Sequence, residues 1–157
     1  MTPAIAQSMR ELEQMWDDHQ DALLVRHDPA ASLAMMAAQP SVRHIPGMTG
    51  AAGRDVLERF YAEDFLPHLP ADLSLTRVSR TTGRFRLVDE TLVCFTHDRL
   101  LPWLLPGHPP TNRRAEVLAI GVVGFERGWI CWERIHWDFA TLLAQLRLPA
   151  FDPADPR

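Results

Sequence analysis

The chain has 157 residues, a length at which one domain buries about two thirds of its unfolded surface. Its 46% apolar and 23% charged residues match a globular protein and exclude a disordered chain or a fibrous repeat. A net charge of -4, with the basic residues interspersed among Asp and Glu, lacks the basic face that nucleic-acid binding requires, and no run reaches the roughly 18 apolar residues of a membrane span.

Between Ala6 and Arg26 the residues Met9, Leu12, Met15, Trp16, Leu23 and Leu24 recur at helical spacing with acidic residues between them, so an amphipathic helix is predicted. Arg10, Glu11 and Glu13 fall where a secretory signal would need an unbroken apolar core. Asp28 reads as an N-cap with Pro29 at the first helical position, opening a second helix through Leu33, Met35 and Met36 that ends at Gln39-Pro40. A short strand, Ser41 to Ile45, then runs into the turn-forming stretch Pro46 to Gly50. A third helix follows Gly53 through Val56, Leu57, Phe60, Tyr61 and Phe65 and is stopped by Pro67 and Pro70.

Beyond Pro70 the period changes to two. Leu73, Leu75 and Arg77, and then Phe85, Leu87, Leu92 and Phe95, mark two long antiparallel strands around Thr81-Thr82-Gly83. Five prolines and glycines between Pro102 and Pro110 surround Trp103 and Leu104, which predicts a stiff, partly apolar loop placed as a lid or rim. Glu116 to Glu126 and Trp129 to Asp138 form a hairpin around Arg127-Gly128, and Phe139 to Leu146 returns to helical spacing before a Pro-containing tail expected to be poorly ordered. The expected organisation is one domain over residues 1–148 and a tail over 149–157. Cys94 and Cys131 lie in apolar strands rather than in a disulfide framework, which fits a reducing cytoplasm.

Helices followed by a strongly bent sheet of about four to six strands is an α+β layout in which the helices cover one sheet face. The segments His44-x-Pro46-Gly47, Gly50 to Tyr61, Phe95-Thr96-His97-Asp98, Pro102-Trp103, Pro110-Thr111-x-Arg113, and Trp137-Asp138 followed by Leu143-x-Gln145-Leu146 are similar to SnoaL-like (polyketide cyclase-like) proteins of the nuclear-transport-factor-2-like superfamily. Within that family the chain resembles members sometimes attached to dienelactone hydrolases, although it has no Gly-x-Ser-x-Gly or Gly-x-Cys-x-Gly elbow. The resemblance implies a cone-shaped, curved antiparallel or mixed sheet wrapped around the N-terminal helices, a cystatin-like α+β barrel with an internal pocket. It also implies a small, largely apolar ligand, bound with or without general acid/base conversion of the isomerase, cyclase or dehydratase type and without a cofactor. The rival reading is a non-catalytic binding or dimerisation module. The cyclases of this family are thought to use an acid on the last strand, but the matching position here is Ile135, and their pocket histidine falls near Gly121.

Glu133 is the nearest carboxylate of inward parity, alternating with Cys131, Ile135 and Trp137. It is either a desolvated general base or the partner of an Arg across the sheet. His44, beside a Gly-rich loop, is its expected proton-handling companion or else caps that loop. Tyr61, Trp103, Ile135, Trp137, His97 and Trp16 are the expected pocket lining, with helix packing as the alternative for Trp16 and Tyr61, pinning of the loop for Trp103, and a turn cap for the neighbouring Asp98. Asp138 either caps the last helix or does chemistry. His44, His97, His108, His136, Glu133 and Asp138 carry metal-ligand atoms, but without His-x-His, His-x-x-x-His or paired-Cys spacing no metal site is expected. A homodimer through the outer faces of the last strands is expected from Trp132 and His136.

Overall fold

A computed structural model of the chain describes residues 1–152 and 154. Helix α1 (Pro3–Gln20) is capped by Thr2, whose Oγ1 accepts from the Ile5 amide, and its last turn widens into a π-helical segment, Asp21–Val25. Leu12, Trp16, His19 and Leu23 lie along its buried stripe, so the apolar spacing faces the sheet as expected and carries a histidine with it. Asp28 caps α2 (Pro29–Leu33), its carboxylate accepting from the Ala31 amide.

The second helix is shorter than its spacing predicts. It ends at Leu33, and the residues from Met36 onward form a ten-residue strand, β1 (Met36–Ile45), with Pro40 inside it. Pro40 is accommodated because the register with the neighbouring strand shifts between Met36 and Ser41, so no ladder bond is required of its missing N–H. The Arg54 guanidinium donates to the carbonyls of Leu33, Met36 and Ala37, satisfying the groups that the abrupt helix-to-strand change would orphan. The stretch expected to be only a loop is the turn of a short hairpin to β2 (Thr49–Ala52). Helix α3 (Arg54–Arg59) continues as a second π-helical segment, Phe60–Phe65, and buries Leu57, Phe60, Tyr61 and Phe65.

Strands β3 (Ser74–Thr82), β4 (Arg86–Thr96), β5 (Arg114–Glu126) and β6 (Trp129–Trp137) follow, then α4 (Phe139–Leu146). Arg127 and Gly128 both have positive φ, 52° and 80°, the geometry of a tight two-residue hairpin turn. Asp138 caps α4 by accepting from the Thr141 amide. The described strands make one six-stranded sheet in the order β2-β1-β6-β5-β4-β3, with β1 and β6 parallel and every other pair antiparallel. The α+β class and the mixed sheet are as expected, but the sheet is open: β2 and β3 remain edges, so the word barrel does not describe it.

The loop from 97 to 113 is core rather than lid. Leu101, Trp103, Leu104 and Leu105 are all buried, and the Trp103 indole donates to the His68 carbonyl. Phe151 packs edge-on against Phe139, and the last part of the tail, residues 153 and 155–157, lies outside the described residues. No helix among the described residues is long and apolar enough to cross a membrane.

Candidate functional site

The register across the sheet builds the site in rows. Asp89, Gly121, Ile135 and His44 are direct partners on β4, β5, β6 and β1. One inward step away lie Leu87, Val123, Glu133 and Val42, and on the other side Thr91, Ala119 and Trp137. Helix α1 covers these rows with Trp16 and His19, the first π-helical segment adds Leu23, and the second adds Tyr61 and Phe65. Between helices and sheet lies a cavity of about 110 Å³. Trp16, His44, Tyr61, Trp103, Glu133, Ile135 and Trp137 all border it. His97 does not: it is fully buried beneath the 97–113 loop, with Nδ1 3.2 Å from the Thr111 hydroxyl, because the loop expected at the rim folds inward and takes the imidazole with it.

Cys131 also departs from the expected face. The β5–β6 register shifts between Gly124 and Phe125, where Gly124 faces Trp132 and Phe125 faces Ile130, so Cys131 is the extra residue of a bulge. Ile130 takes the core position, and the Cys131 thiol lies at the Trp129 carbonyl with its pKa raised by burial and by Glu126. Parity is kept beyond the bulge, which is why Glu133, Ile135 and Trp137 face inward together.

Among the described residues Glu133 pairs with no Arg. Its Oε1 lies 2.7 Å from His19 Nε2, and His19 Nδ1 lies 3.1 Å from the Ser32 carbonyl and 2.9 Å from the Ser32 hydroxyl. The Ser32 carbonyl can only accept and the Ser32 hydroxyl can also donate, so Nδ1 meets a partner in either tautomer, while a proton on Nε2 serves the carboxylate. Burial opposes the charged imidazolium, but the Glu133 charge and hydrogen bond together with the Ser32 carbonyl outweigh it and hold the His19 pKa above its ordinary value. Both His19 nitrogens are thereby occupied, so this histidine, although it borders the cavity, orients Glu133.

His44 has the opposite electrostatics. It is enclosed by Phe60, Phe65, Trp103 and Trp137, and desolvation lowers its pKa to about 4. The Trp137 indole donates to His44 Nδ1 at 3.1 Å. An indole N–H is a donor only, so the neutral imidazole carries its proton on Nε2, which has no hydrogen-bond partner among the described residues. The Tyr61 hydroxyl is buried and likewise unpartnered, and burial and the Glu133 charge both push its pKa well above the ordinary value, so it stays a phenol. Taking strands about 4.8 Å apart and about 3.3 Å per residue, the Cα atoms of Glu133 and His44 are diagonal neighbours roughly 8 Å apart on one face.

Sequence reasoning missed His19 and Asp89. The signal for His19 was its place in the stripe, three residues after Trp16 and seven after Leu12. Asp89 shares the inward parity of Leu87, Thr91 and Val93. Asp89 accepts from the Trp16 indole at 3.0 Å and from Arg80 at 2.7 and 2.8 Å, and Arg80 also reaches Asp17. This buried network ties α1 to the edge of the sheet and leaves Asp89 charge-compensated. Among the described residues, no three His, Cys, Asp or Glu side chains converge as a metal ion would need.

No protein-family model matches the chain, and no curated protein matches it in sequence. Solved structures do. A protein from Jannaschia sp. designated a SnoaL-like polyketide cyclase superposes with a TM-score of 0.70 at 15% identity, covering 96% of this chain and 98% of that one. An NTF2-like protein of unknown function from Burkholderia pseudomallei gives 0.66 at 20% identity, covering 87% and 97%. A protein from Kribbella flavida designated a ketosteroid isomerase gives 0.58 at 13% identity, covering 96% and 87%. The chain has the fold that SnoaL-like and NTF2-like proteins share.

Proposed function

We propose that the cavity binds a small, largely apolar metabolite through one polar end and converts it by proton transfer, as a cofactor-independent isomerase, cyclase or lyase. The observation that carries this reading is the meeting, in one aromatic cavity, of an oriented carboxylate (Glu133) with two unpartnered neutral donors, His44 Nε2–H and the Tyr61 hydroxyl. Buried polar groups are normally satisfied, so the open Tyr61 hydroxyl is a site for a ligand acceptor, with His44 Nε2–H as a second donor on the same cavity. A carbonyl oxygen placed between His44 and Tyr61 sets its α-carbon toward Glu133. The carboxylate takes the α-proton, the C–H electron pair becomes the new carbon–carbon π bond, the carbonyl π pair moves onto oxygen, and the two donors stabilise the resulting enolate. Where the ketone is β,γ-unsaturated the enolate is conjugated, and return of the proton to its γ-carbon completes an isomerisation. The names of the structural relatives, polyketide cyclase and ketosteroid isomerase, are consistent with chemistry of this type.

The test is exchange of α-hydrogens for deuterium in D₂O, with cyclohexanone as a one-ring ketone suited to a cavity of this size. The wild type is expected to accelerate exchange over buffer and Glu133→Gln to abolish the acceleration. Equal rates for the two proteins would end the acid/base reading and leave the rival, a binding module.

The homodimer belongs to the same proposal. Leu118 and Ile120 are 39% and 43% exposed on the outward face of β5, beside the outward His136 of β6. These two side chains support a second copy on this face. Trp132 contributes less than its size suggests, because Arg86 and Arg134 already stack over its ring at 4.8 and 4.4 Å.

A further inference from the structure

Glycine inside a strand costs stability, and the fold accounts for most of the strand glycines. Gly50 has a φ of 128°, and a Cβ there would lie 2.0 Å from the Val42 carbonyl oxygen. Gly124 carries the Trp132 indole directly over its backbone, with a Cβ meeting the ring at 2.2 Å. Gly121 has no such reason. It lies mid-strand in β5, its φ is not in the positive region, its register with Asp89 and Ile135 is unbroken, and a Cβ built on it meets nothing within 4 Å. A strand-interior glycine free of a bulge and of neighbouring backbone is a place that a ligand can approach closely. The space above Gly121 is the cavity itself.

The position is central to the chemistry. Gly121 is flanked by Asp89 on one side and Ile135 on the other and is a diagonal neighbour of Glu133 through the Val123–Glu133 pair. Any side chain here projects into the volume beside the carboxylate, where the reacting carbon must lie. We propose that Gly121 is the specificity-determining residue of the site: it is the floor on which the ligand's ring rests, and its missing side chain sets the thickness of molecule that can reach Glu133. This rests on the ligand-binding reading above. The ligand is accordingly a ring-bearing molecule seated on bare backbone, with bulk on the Gly121 side and its oxygen toward His44 and Tyr61.

Stability and binding should move in opposite directions, which a structural glycine would not allow. Gly121→Ala enters open space at permissive backbone angles, so its melting temperature is expected to rise by about 1–4 °C while cyclohexanone binding, followed by amide chemical shifts, weakens. Gly121→Val, β-branched and suited to a strand, is expected to stay folded and to weaken binding by about tenfold or more through overlap with the ligand. A lower melting temperature for Gly121→Ala would show the glycine to be structural and overturn the proposal. So would cyclohexanone affinity unchanged in both variants while the wild type binds it. If the wild type binds neither cyclohexanone nor p-cresol, the ligand-binding reading itself falls, and this inference falls with it.

Discussion

Replacing His44 by Gln removes one titrating group from the aromatic core and should change how stability depends on pH in a defined window. The native imidazole has its pKa lowered to about 4 by burial, against an ordinary value of 6.5 in the unfolded chain. The folded state therefore resists the proton that the unfolded state accepts. This contribution to stability is complete above pH 6.5 and is lost progressively as the pH falls to about 4. At about 1.36 kcal/mol per pH unit the loss sums to roughly 3 kcal/mol, a large part of the 5–15 kcal/mol that typically holds a domain together. Gln keeps an acceptor for the Trp137 indole but does not titrate, so His44→Gln shifts the curve by a constant while removing this slope. The assay is urea unfolding at half-unit steps from pH 4 to 8. The stability difference, wild type minus variant, should be flat above 6.5 and fall by about 1.36 kcal/mol per unit below it. His19 does not confuse the reading: its raised pKa contributes stability that is present below 6.5 and lost as the pH rises through the folded value, on the other side of the window. Parallel curves for wild type and variant would refute the assignment of His44 as a neutral, desolvated donor.

Glu133→Gln preserves shape and should leave cyclohexanone affinity within a few-fold while lowering catalysed α-exchange by about two to four orders of magnitude, measured by the disappearance of the α-proton signals. Tyr61→Phe removes a buried hydroxyl that has no partner among the described residues, so the unliganded protein should become more stable by about 1 kcal/mol in thermal unfolding, while ketone binding weakens. A less stable Tyr61→Phe would show that the hydroxyl is satisfied in the free protein. Sedimentation at micromolar concentration should give a dimer for the wild type and a monomer for Leu118→Lys, which places a charge on the exposed outer face of β5. A wild-type monomer would remove the sheet-face dimer.

Much of the fold follows from local signals that the sequence states outright. The α1 stripe, the Asp28-Pro29 and Asp138 caps, the Arg127-Gly128 turn and the long β3 to β6 run each depend on residues a few positions apart, where spacing and backbone preference decide the outcome. The same alternation placed Glu133, Ile135 and Trp137 on one face, and the structure puts that face on the cavity together with His44 and Tyr61. What the sequence could not decide was pairing. Pro40 reads as a helix stop, and only the shifted register of β1 against β6 lets it sit inside a strand. Cys131 reads as an inward residue, and only the bulge opposite Gly124 turns it out of the row. His97 reads as rim, and only the inward folding of the Pro-rich loop buries it. Glu133 with His19, 114 positions apart, and His44 with Trp137, 93 apart, are hydrogen-bonded pairs that no local spacing encodes. Their protonation states follow from which donors and acceptors the fold brings together in a dry space. The sequence therefore determined the elements and the inward faces, because those depend on near neighbours, whereas the charge and tautomer of each site residue were settled only when the sheet register and helix packing chose its distant partner.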